Sequence, residues 1–162
     1  MQNTNPLKAI VGGFIATLVM TMMMYAAPMI GMPIMDLAGM LGSMFNGGQP
    51  PEMMSGLWWM GMMIHFVNGT VVFALIYAYL LYGWLPGSPW LRGLTWGLML
   101  WLVSQVMVMP MMGKGIFSAN TPAPMMMVLG SMMGHIVYGA ILGAIAGEQA
   151  VRHAYMHQER HP

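Results

Sequence analysis

Charged side chains are sparse along this chain, at Lys8, Asp36, Glu52, Arg92, Lys114, Glu148, Arg152, Glu159 and Arg160. Between them run uncharged, mostly apolar stretches of 27 residues (9–35), 39 (53–91), 21 (93–113) and 33 (115–147). A bilayer core about 30 Å thick is crossed by a helix of about 20 apolar residues. Each stretch therefore holds one crossing. The longest holds one rather than two, because Gly83-Trp84-Leu85-Pro86-Gly87-Ser88-Pro89 is a turn signal that no helix continues through. The pattern predicts an all-α membrane protein with four transmembrane helices near 8–30, 56–82, 91–112 and 124–147.

Residues 33–45 are apolar but too short to cross. They predict a short helix in the outer interface, with Asp36 capping or charging its first turn. Residues 148–162 read as a polar tail of the same single domain (1–162). Its His153 and His157, four apart, fit a solvated tail better than a metal pair.

The spans repeat. At an offset of 70, His65-Phe66-Val67-Asn68-Gly69-Thr70-Val71 lies on His135-Ile136-Val137-Tyr138-Gly139-Ala140-Ile141. At an offset of 84, Leu7-Lys8, Gly13, Leu18-Val19 and Met23 lie on Leu91-Arg92, Gly97, Leu102-Val103 and Met107. This predicts two tandem helical hairpins with pseudo-two-fold symmetry about an axis along the membrane normal. It also predicts that the first span is retained, since a cleaved leader has no reason to match a later helix.

Composition agrees with the pattern. The chain is 58% hydrophobic and 6% charged, against roughly 25% charged in a soluble domain, too few charges for a surface facing water. A net charge of +1 implies neither nucleic acid nor an acidic substrate. Without cysteine, disulfides, thiolate metal sites and cysteine nucleophiles are excluded. Lys8, Arg92, Arg152 and Arg160 fall on one side of the membrane and Lys114 alone on the other. The positive-inside rule then predicts cytoplasmic N- and C-termini.

Each span carries a stripe at four-residue spacing. The stripes are Gly13, Thr17, Thr21; Gly61, His65, Gly69; Gly93, Gly97, Trp101, Gln105; and Ser131, His135, Gly139, Gly143, Gly147. Small residues at this spacing let helices approach closely in lipid, so the stripes are expected to face into the bundle. Their polar members, with Asn68, Ser104 and Tyr138, then form a layer near mid-membrane.

Ionisable groups at that depth invite a functional reading. The favoured reading of His65 and His135 is packing, as neutral partners of Thr, Gln, Asn or Tyr, with no cofactor. One alternative is a b-type haem held between His65 and His135 from opposite hairpins. Another is Cu(I), for which thioethers and imidazoles are suitable ligands, with Met62 and Met63 beside His65 and Met132 and Met133 beside His135. The 26 methionines are uneven, with fourteen between Met20 and Met63 and nine between Met107 and Met133, which crowds them into the outer half. Flexible packing against gaps or a partner explains this more simply than a metal.

No Ser–His–Asp set, paired intramembrane carboxylate or phosphate-binding glycine loop is present, so no enzyme is predicted. A transporter would be expected to show mid-membrane charges or broken helices, and the sequence shows neither. The segments Met35-Asp36-Leu37-Ala38-Gly39-Met40-Leu41-Gly42, Gly61 to Thr70 and His135 to Gly143 resemble a family of small bacterial four-helix membrane proteins of unknown function. The resemblance spans nearly the whole chain. It implies an accessory or assembly role beside respiratory oxidase components. The partners expected are therefore the lipid bilayer and either a membrane protein or a second copy of the chain.

Overall fold

Asn5 and Pro6 begin the first helix. The Asn5 side chain accepts the Leu7 amide at 2.9 Å, and Pro6 occupies a position whose missing N–H has no intrahelical partner to lose. A computed structural model describes residues 4–158, with side chains described through residue 147. Helix α1 (Pro6–Ile30) crosses first, its last turn tightening around Pro28 before Gly31 ends it in the left-handed region at φ 79°. A short α2 (Leu37–Ser43) follows, then α3 (Gly56–Leu81), α4 (Pro89–Met111) and α5 (Pro124–Gln158). Four of these five, counting Pro124–Gly147 of α5, are long and apolar enough to cross a membrane. Among the described residues there is no strand. The protein is thus an all-helical, multi-pass membrane protein. The face carrying the N-terminus and the 82–88 loop is called terminal here, and the opposite face distal.

The stripes turn inward. A Cβ on Gly93 or Gly97 would run into the Gly139 or His135 carbonyl, and one on Gly139 or Gly143 would run into Gly93 or Pro89. The backbones of α4 and α5 touch there, as interleaved glycines permit. Gly13 abuts the Gly69 carbonyl, and Gly69 in turn abuts Thr17, which joins α1 to α3. On α1, Gly12 lies against Ile145 and Met20 packs against Gly134, which joins α1 to α5. The helices therefore run in the order α3, α1, α5, α4. Helices α3 and α4 meet chiefly toward the terminal face, where the Phe73 and Trp96 rings lie 6.4 Å apart and the Tyr77 hydroxyl donates to the Pro89 carbonyl. Arg92 staples the intervening loop by donating to the Gly87 and Tyr82 carbonyls.

Helix α2 lies alongside the start of α3. Its Ala38 carbonyl touches Gly61, while its Gly42 touches the Leu57 carbonyl, so the two helices run antiparallel. Asp36 caps α2 through the Gly39 amide, and the same carboxylate oxygen accepts from Trp58 Nε1 and the Tyr25 hydroxyl, each at 2.9 Å. One acidic residue thereby ties α1, α2 and α3 together.

Helices α3 and α4 run unbroken over their spans, but they are not regular along them. Helix α3 widens to π turns at Asn68–Val72 and Tyr77–Leu81, and α4 does so at Ser104–Val108. In α4 the cause is Pro110, two residues on, which has no N–H for a regular ladder. The Met109 amide reaches back to the Ser104 carbonyl instead. In α3 the Phe73 amide reaches the Asn68 carbonyl, and the Gly69 carbonyl accepts the Tyr138 hydroxyl at 2.7 Å.

Candidate functional site

Where α3 and α4 part on the distal side, they leave a central cavity of about 160 Å³. Thr17, Met20 and Met24 line it from α1, and His65, Asn68 and Phe73 from α3. Ser104, Met109 and Met112 come from α4, and Ser131, His135 and Tyr138 from α5. Leu37 and Leu41 bring α2 to its wall as well. The structure therefore places His65 and His135 on one cavity, as their equal depth in the sequence implies.

Hydrogen bonds define the state of each imidazole. His65 Nε2 lies 2.9 Å from Thr21 Oγ1, and the Thr21 hydroxyl donates its only proton to the Thr17 carbonyl at 2.7 Å. Thr21 oxygen must then accept, so His65 carries its proton on Nε2 and a lone pair on Nδ1. His135 Nδ1 lies 2.8 Å from the Ser131 carbonyl, which can only accept. His135 is thus protonated on Nδ1 and bears its lone pair on Nε2. The cavity wall offers no carboxylate to compensate an imidazolium, so both rings are neutral, with one unprotonated nitrogen each.

The packing partners differ from the simplest expectation. His65 bonds within its own hairpin and His135 within its own helix, so neither ties the hairpins together. Tyr138 does so through Gly69, and it makes no hydrogen bond to either histidine. Gln105, which the 84-residue offset aligns with Thr21, bonds Ser131 rather than His135. Fully buried Gln105 also accepts from Ser118 in the last distal loop, where Phe117 and Ser118 adopt left-handed φ of 49° and 57°. Nothing in the sequence singled out Ser118.

Of the methionines proposed as copper ligands, Met62 and Met132 are half-buried, while Met63 and Met133 are 62% and 51% exposed on the bundle's outside. None of the four lines the cavity. The thioethers that do, Met20, Met24, Met109 and Met112, are all buried. A signal for them existed. Met20 and Met24 continue the Thr17 stripe at i+3 and i+7, and Met109 and Met112 continue the Gln105 stripe at i+4 and i+7. A second, larger hollow of about 430 Å³ opens between the distal end of α1 and α5, lined by Met23, Met24, Met32, Met35 and Met133. The tail histidines lie outside the residues whose side chains are described.

Four crossing helices around a small cavity, with neutral polar groups on its wall and apolar cladding outside, define a small multi-pass membrane protein of the helical-bundle class. The chain belongs to a family of unknown function (DUF6789), whose model matches residues 3–157. No curated protein and no solved structure matches it.

Proposed function

We propose that the chain is a non-catalytic accessory or assembly subunit of a larger membrane complex, with a respiratory oxidase as the first candidate. It sits in a bacterial inner membrane with both termini cytoplasmic. The observation that carries this reading is the contrast between the two halves of the bundle surface. On the distal half, Met22, Met29, Met63, Met107, Met111 and Met125 are each more than half exposed. On the terminal half the exposed residues are chiefly Leu7, Val11, Phe14, Leu18, Tyr79, Leu80 and Leu98, with Met99 the one exposed methionine among the described residues. Lipid makes the same demand on both halves, so lipid contact alone does not account for the difference. Flexible, polarizable thioethers suit a surface that must adapt to another protein.

The test replaces the exposed set, Met22, Met63, Met107, Met111 and Met125, by leucine in the native host. Leucine for methionine nearly conserves volume and should leave the fold intact. Co-migration with the oxidase on native gels, and oxidase activity in the gel, should fall. Unchanged oxidase assembly in a strain lacking the protein would overturn the reading. Orientation is separately accessible because the chain has no cysteine. A single cysteine at Gly47 should react with an impermeant maleimide from outside the membrane, and one at Gly87 should not.

A further inference from the structure

We propose that the central cavity is a binding site for one Cu(I) ion, reached from the distal surface through the methionine-lined hollow. The ligand set is His65 Nδ1 and His135 Nε2, the two unprotonated ring nitrogens, with thioethers drawn from Met20, Met24, Met109 and Met112. All six residues line one cavity, and they come from four helices, α1, α3, α4 and α5. The inference goes beyond the accessory role and does not depend on which complex the chain joins.

The chemistry of the donors selects the ion. Thioether sulfur and imidazole are soft or borderline ligands that suit Cu(I). The cavity wall carries no carboxylate, so a hard divalent cation would meet neither its preferred oxygens nor a compensating charge. A soft monovalent ion is the cation that neutral ligands can hold with the least uncompensated charge. Because each histidine already presents a lone pair, binding requires no deprotonation. Loading the site should therefore release no proton, unlike thiolate sites.

The two hollows are joined by one residue. Met24 lines both the cavity and the distal hollow. In the distal hollow, the Met35 sulfur lies 2.9 Å from where a Gly130 Cβ would stand, so the thioether packs directly on the bare Gly130 backbone. Met24 thus links the methionine lining of the distal hollow to that of the cavity that holds the imidazoles. This accounts for part of the methionine asymmetry that surface contact alone does not, since Met20, Met24, Met35, Met109 and Met112 are buried rather than on the outer cladding.

The full-length chain, purified anaerobically in mild detergent, would be titrated with Cu(I) against a chromophoric Cu(I) chelator. X-ray absorption would then read the sulfur and nitrogen neighbours of the bound metal. One ion per chain with mixed sulfur and nitrogen ligation is expected. M109L/M112L and H135F should each weaken binding by at least about tenfold, and H135F should also reduce the nitrogen neighbours from two to one. M62L/M63L should bind as the unmodified chain does. Absence of binding in the unmodified chain overturns the proposal. So does sulfur-only ligation that is lost in M32L/M35L but not in M109L/M112L, which would place the metal in the distal hollow alone. Helical circular dichroism matched to the unmodified chain keeps a loss of binding from being a loss of fold.

Discussion

His65 Nε2 donates to Thr21 Oγ1 across 2.9 Å, and the Thr21 hydroxyl hands its own proton to the Thr17 carbonyl one turn back along α1. This relay fixes the tautomer of a membrane-buried imidazole without any charged partner. Intramembrane hydrogen bonds of this kind are worth about 0.6–2 kcal/mol. Thr21→Val and His65→Phe should each destabilise the full chain by about 1 kcal/mol in detergent unfolding. The double variant should lose less than the sum, because both remove the same bond. Strict additivity would mean the bond is not made.

The glycines of α4 and α5 make a sharper prediction. Ala at Gly97 would set its methyl against the His135 carbonyl, whereas Ala at Gly56 would meet open space. Alanine's better helix propensity, about 1 kcal/mol, favours both changes, but backbone cannot yield as a side-chain tip can. Gly97→Ala should lower the melting temperature through overpacking of about 1–3 kcal/mol, and Gly56→Ala should leave it unchanged or raise it. The ratio of melting temperatures in one detergent reads the difference directly.

Among the described residues, Tyr138 is the hydroxyl that ties α5 to α3 at the π turn. Tyr138→Phe leaves the ring in place and the Gly69 carbonyl short of a donor, at about 1 kcal/mol. Amide exchange at residues 69–73 should accelerate more than elsewhere in α3. Uniform exchange along the helix would show that Tyr138 does not hold the turn.

The buried Gln105 latches the last distal loop through Ser118. Gln105→Leu should free residues 113–123, visible as faster proteolysis or exchange of that loop, with little change in α1. Ser118→Ala should reproduce the loop effect alone. It leaves Gln105 with its bond to Ser131.

Haem ligation by His65 and His135 meets two obstacles in this geometry. The cavity, at about 160 Å³, is below the roughly 300–1,000 Å³ of ordinary ligand pockets. His65 also has Nε2 committed to Thr21, leaving only Nδ1, the ring nitrogen nearer the backbone. The protein extracted from native membranes is therefore expected to show no haem band that scales with the polypeptide. A band lost in His65→Gln and His135→Asn would establish the electron-carrier alternative.

Much of the architecture was readable one residue at a time. Uncharged stretches of crossing length set the number of helices, and small residues four apart marked the faces that touch. Both follow from solvent and helical period alone: lipid excludes charge, and a 3.6-residue turn puts every fourth side chain on one face. The same arithmetic identified His65 and His135 as members of those faces.

What lies across from a face is a different matter. Met63 and Met133 stand two residues before the histidines, about 160° around the helix, and Met62 and Met132, three before, lie about 60° to one side and are half-buried without reaching the cavity. Nearness in sequence therefore did not place them at the cavity, while Met20, Met24, Met109 and Met112 arrive there from other helices. The partners Thr21 for His65, Gly69 for Tyr138 and Ser118 for Gln105 depend on the rotation and depth at which each helix docks. So do the parting of α3 from α4 and the place of α2 beside α3. Those quantities are settled by side-chain packing over the whole bundle, where backbone contacts at Gly13, Gly61 and Gly97 set how near each pair can come. The sequence determined which surfaces are buried in the bundle; only the tertiary structure decided which atoms meet there.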